Sequence, residues 1–160
     1  MRTTKLGVTI LSVAIVLSGG CAKPRSAPDI TATAESFTLE IRDSSGKTIA
    51  SGRLSLPTDI AGRADFGGSC KIQVSEVPEK PYSQNDYAIR CLSQNNGVLS
   101  GSVRNGVVRI ALHPLVWDNT VYLEGKLDEH SFKGKCFYQS YAGYMEFGAF
   151  EAGIETKDTP

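Results

Sequence analysis

Two adjacent residues, Asn105 and Gly106, constrain this chain more than any other pair. Asn-Gly is the strongest short signal for a two-residue β-hairpin, because both central positions of that turn take positive φ. Folding the chain there opposes Val103 to Val108, Gly101 to Ile110 and Leu99 to Leu112. All six fall on one face, so a single turn sets the core side of two strands at once. Asp128 to Ser131 acts the same way, opposing Leu127 to Phe132 and Leu123 to Cys136. Asn95-Asn96-Gly97 reads as a three-residue loop that opposes Cys91 to Gly101 and Ile89 to Val103.

Extending this alternation in both directions predicts an all-β domain over residues 36–154. Phe37, Leu39 and Ile41 alternate on a first strand, the turn Asp43 to Lys47 follows, and a second strand runs to about Leu56. Further strands are expected near 70–77, 86–93, 98–103, 107–113, 120–127, 131–140 and 144–152. The glycine-rich stretch 57–69 shows no periodicity and reads as the longest loop. No stretch after residue 30 keeps helical spacing through three turns. Eight or nine short strands with short connections predict an antiparallel meander closed into a small barrel, with a β-sandwich as the alternative.

The N-terminus has a different character. Arg2 and Lys5 precede the apolar run Leu6–Leu17, which is too short to span a bilayer as a helix. A basic start, a short apolar middle and small residues at its end make a secretory signal peptide. Leu17-Ser18-Gly19-Gly20-Cys21 resembles the lipobox of bacterial lipoproteins, with the leucine four places before the cysteine where the family usually has it three before. The resemblance covers residues 1–24. It implies cleavage of 1–20, lipid attachment at Cys21 and, with Ala22 in place of aspartate after the cysteine, an outer-membrane anchor facing the periplasm. Residues 21–35 then form a flexible tether holding Pro24 and Pro28, and residues 155–160 a frayed tail.

The leader takes Arg2 and Lys5 with it, which leaves the remaining chain with a formal charge of −2. That balance, with no basic run, speaks against a nucleic-acid partner and against headgroup recognition by a polybasic patch. An exported chain can hold disulfides. Cys70 and Cys91 sit symmetrically about Lys80-Pro81, and the same symmetry opposes Ile72 to Ile89 and Val74 to Tyr87, so a Cys70–Cys91 bridge is expected. Cys136 reads as a buried unpaired thiol in the core.

Catalytic signatures are not found. Neither His113, at a strand end, nor His130, in a turn beside Asp128 and Glu129, belongs to a metal or nucleophile motif, and no phosphate-loop or dinucleotide pattern occurs. The chain is therefore read as non-enzymatic, without catalytic residues, metal or cofactor. Aromatic residues gather in the C-terminal third, where alternation leaves part of them outside. Trp117, Tyr141 and Tyr144 fall in loops or at a hairpin tip and form the candidate surface for an envelope or secreted protein partner. Periplasmic lysozyme inhibitors are likewise small β-barrels, although their serine-glycine-tyrosine loop signature does not occur here. The alternative is a carrier holding a small apolar ligand or lipid, with Gly101, Gly125 and Gly134 leaving interior space.

Overall fold

The computed structural model describes residues 34–60, 63–114 and 119–155. The leader, Cys21, the tether up to residue 33 and Trp117 lie outside the described residues. Eight strands form one closed antiparallel barrel: β1 Ala34–Asp43, β2 Thr48–Pro57, β3 Asp65–Val74, β4 Asn95–Arg104, β5 Val107–Pro114, β6 Thr120–Leu127, β7 Ser131–Ser140 and β8 Gly143–Ile154. Each strand pairs with its neighbours in sequence, and β1 closes the ring against β8 from Phe37↔Ile154 to Asp43↔Gly148. The barrel is thus the meander expected, and the sandwich alternative falls away. One helix, α1 Gln84–Ser93, interrupts the meander between β3 and β4.

Turn chemistry sets the register as the sequence predicts. Asn105 and Gly106 take φ of +53° and +76°, and behind them Val103↔Val108, Gly101↔Ile110 and Leu99↔Leu112 are paired. Leu127↔Phe132 and Leu123↔Cys136 are paired across β6 and β7. At the first turn the Asp43 carboxylate accepts from the backbone N–H groups of Ser45 (2.9 Å) and Lys47 (3.0 Å). Gly46 stands there at φ +86°, a conformation glycine adopts without a Cβ clash.

Inward side chains from every strand meet in one core, in which Phe132 and Phe150 pack edge to face at 4.6 Å. So narrow a barrel needs strands that approach closely. Gly125 faces Gly134, and a Cβ on Gly125 would lie 2.0 Å from the Lys133 carbonyl oxygen. Strand glycines commonly mark such close backbone approaches. The outward face is charged, with the pairs Glu40–Arg42, Lys133–Glu151 and Lys135–Glu146. A membrane-spanning barrel needs the reverse, an apolar band outside.

Three expectations are corrected between β2 and β4. Residues 86–93 belong to a helix rather than a strand, so the Ile72–Ile89, Val74–Tyr87, Ile89–Val103 and Cys91–Gly101 oppositions do not form. On the side opposite Ile110, the partner of Gly101 is Phe66. The long loop is also shorter than expected. β3 starts at Asp65, and Phe66 and Cys70 are buried, but the glycines at 67 and 68 hide the alternation from view. Finally, Cys70 and Cys91 are free thiols. The Cys70 thiol donates to Asn95 Oδ1 (3.1 Å), and the Cys91 thiol, on α1, donates to the Asn119 carbonyl (3.2 Å). The mirror symmetry that suggested a bridge needs a β3–strand hairpin, and the helix removes it. Cys136 is a buried thiol, as read.

The start of α1 explains the error. Ser83 Oγ accepts from the Asp86 N–H (3.1 Å), and the Asp86 carboxylate accepts from the Ser83 N–H (2.9 Å), which closes a capping box. Ala88, Cys91 and Leu92 form the buried stripe, at helical spacing. The helix packs against β3, β5 and β6 and so covers one mouth of the barrel.

Candidate binding surface

The meander places alternate connections at opposite ends. The β1–β2 turn, the β3–α1–β4 segment, the C-terminal end of β5 and the β7–β8 turn share the end that α1 covers. Tyr141, in the β7–β8 turn, is 89% exposed, and Tyr144, on the first turn-side residues of β8, is 46% exposed. Two more exposed tyrosines stand at this end, Tyr82 (86%) before α1 and Tyr87 (49%) on it, together with Val77. Sequence reading missed Tyr82 and turned Tyr87 inward. Once 84–93 is helical, Tyr87 falls off the Ala88–Cys91–Leu92 stripe, and the capping pair Ser83 and Asp86 was the signal for it.

Tyr144 belongs to an ordered stack on the outer wall. The registers Arg109↔Glu124, Tyr122↔Phe137 and Gln139↔Tyr144 bring outward side chains of four strands together. The Tyr144 ring lies parallel on Phe137 with centroids 4.7 Å apart, and Tyr122 is tilted at 6.1 Å. The Arg109 guanidinium sits 4.0 Å above the Tyr122 ring and 5.2 Å from that of Tyr144. Glu124 joins them, accepting from the Tyr144 hydroxyl (2.7 Å) and facing Arg109 Nε at 3.0 Å. Burial, then donation to Glu124, holds the Tyr144 hydroxyl above the usual phenol range, so it stays a donor at any physiological pH. Shallow recesses flank the stack: one reaches to Gln139, Ser140 and Gly143, the other to Asp65, Ser100 and Ser102, and Arg109 lines both.

The interior differs from what the glycines suggested. The space a Cβ would take at Gly101 is filled by the Phe66 ring, 2.0 Å from that position. At Gly125 and Gly134 it is taken by neighbouring backbone. His130 lies exposed in the β6–β7 turn, and its carbonyl accepts from the Ile154 N–H (3.1 Å). Among the described residues no group of three or more His, Cys, Asp or Glu is placed to hold a metal ion. Comparison with protein-family models, with curated proteins and with solved structures finds no match.

Proposed function

We propose that this chain is an outer-membrane lipoprotein, anchored through Cys21 after removal of residues 1–20, whose barrel is a non-enzymatic binding or inhibitory module for another envelope or secreted protein. The observation that carries the reading is the gathering of Tyr82, Tyr87, Tyr141 and Tyr144 at one end of a filled barrel. Tyrosines supply much contact area at little entropic cost and are enriched among residues that dominate interface energy. The chain enters the barrel at Ala34, at the end opposite α1. An anchor attached there leaves the tyrosine end free to turn away from the membrane. The Phe66 ring beside Gly101 supports this reading over that of a ligand carrier.

Crosslinking in intact cells followed by purification of the tagged chain tests the proposal. Replacing Tyr82, Tyr87, Tyr141 and Tyr144 by serine, with Trp117→Ser as a further variant, should remove the crosslinked partner and leave the fold intact. Substitutions at Tyr82, Tyr87 and Tyr141 shift stability by only about 0.5 kcal/mol each, while Tyr144→Ser also gives up the stack on Phe137 and the bond to Glu124 and is made singly as well. In the same cells Cys21→Ser should keep residues 1–20 and take no palmitate label. Undiminished crosslinking by the tyrosine variants sinks the binding surface.

A further inference from the structure

The barrel is closed, yet one stretch of strand edge inside it has no strand beside it. β3 and β4 are paired only from Asp65↔Ser102 to Ser69↔Val98, whereas β2 continues along β3 to Val74. In an antiparallel strand the N–H and C=O of one residue point to the same side, and successive residues alternate sides. The Ser75 N–H donates to the Ile49 carbonyl (2.9 Å), so Ser75, Gln73 and Lys71 face β2. Cys70, Ile72 and Val74 therefore face the side that β4 has left. The ladder stops for a local reason. Gly97, at φ +84°, turns its N–H onto Asn95 Oδ1 (2.7 Å), away from the Cys70 carbonyl. Among the described residues no backbone partner of Ile72 or Val74 appears on that side. Both side chains are only half-buried, as is that of Ile89 on α1.

We propose that the Ile72–Val74 edge receives an extended segment of a partner protein as an added strand. This rests on the reading of the barrel as a binding module and names how the partner is held. An edge of unpaired N–H and C=O groups recognises extended main chain and little else. Charge fixes the character of the segment. Beyond Val74 the recess at the strand's end is lined by Asp43, Glu76 and Asp86 against Lys47, with Ile49 and Ile89 beside them. A segment with alternating apolar residues and a basic end fits both features. Asp86 and Ile89 in that recess belong to α1, so the segment would touch the same helix that carries Tyr87.

Amide hydrogen exchange on the full chain reads the edge directly. Without partner, the Ile72 and Val74 amides should exchange about 100-fold faster than those of Lys71 and Gln73. A short synthetic peptide of alternating Val and Thr ending in Lys-Lys should slow Ile72 and Val74 to the rate of their neighbours. Its copy N-methylated at alternate residues should not. Val74→Pro, which removes an N–H with no partner in the free chain, should keep the melting temperature and lose the peptide effect. Gln73→Pro breaks the ladder to β2 and should melt far lower. Equal protection of all four amides in the free chain would overturn the proposal by showing the edge already covered. So would a peptide that protects nothing. Partner crosslinking lost in the tyrosine variants but unchanged in Val74→Pro would overturn the edge alone and leave the binding module standing.

Discussion

The β5–β8 wall and the β3–α1–β4 segment are built from the same kinds of residue and are held in different ways. Along β5 to β8 each strand is paired on both sides, the tight turns before β5, β7 and β8 joining neighbours in sequence and β8 closing against β1. Between β3 and β4 the chain leaves the sheet, makes under three turns of helix and returns through a glycine at positive φ. Three buried side chains, Ala88, Cys91 and Leu92, with half-buried Ile89 beside them, hold that helix to the core. One region is determined by pairing, the other by a small buried stripe. Stability and accessibility should follow the same division.

The largest effect should come from the wall. Phe132 is fully buried and packs on Phe150. Phe132→Ala should cost about 3–5 kcal/mol, read by urea denaturation, and should lower the protection of all eight strands together. A loss confined to β7 would mean that the wall is not one cooperative unit.

The same division decided what the sequence made legible. Where a turn names its own geometry, as Asn105-Gly106 does, register and core face follow from period two alone. Of the outer stack, Arg109, Tyr122 and Phe137 alternate with core positions, but the bulge between Cys136 and Phe137 shifts β8 by one residue, so alternation counted back from Phe150 turns Tyr144 inward. In 84–93 two periodicities coexist: Tyr87, Ile89 and Cys91 alternate like a strand, while Ala88, Cys91 and Leu92 repeat like a helix. Length cannot arbitrate over ten residues. The capping pair could have, because it satisfies N–H groups that a strand would give to a neighbour. In β3 the glycines at 67 and 68 removed the side chains by which alternation is recognised.

A smaller effect should come from that cap. Ser83→Ala removes the acceptor for the Asp86 N–H, and losing such a cap costs about 1 kcal/mol. The loss should be local. Exchange should quicken across 84–93 while β5 to β8 keep their protection, which hydrogen exchange resolves residue by residue. Uniform loss across the barrel would make α1 part of the same cooperative unit as the wall.

The smallest effect sharpens the contrast through the thiols. Burial pushes the Cys70 thiol up to about 11 and the Cys91 thiol up to about 12, and it raises that of Cys136 as well. In the closed molecule all three are neutral at pH 8, and only the thiolate is alkylated. Reaction must therefore await an opening. Cys91 sits on α1 and Cys70 beneath its end, so opening of the helix frees them, whereas Cys136 needs the barrel to unfold. Iodoacetamide should label Cys91 first and Cys136 last, and Ser83→Ala should quicken Cys91 about 5-fold, the factor that 1 kcal/mol gives, without moving Cys136. The sign of the pH effect identifies the route. A thiol that titrates in the opened segment levels off above its ordinary value of 9.0, while one attacked in place keeps climbing toward 12. The raised values also mean that the unfolded chain ionises first, so stability held below pH 9.0 declines as the pH rises through 11 to 12. A Cys136 that reacts as fast as Cys91 would place both in one opening unit and erase the distinction between wall and helix.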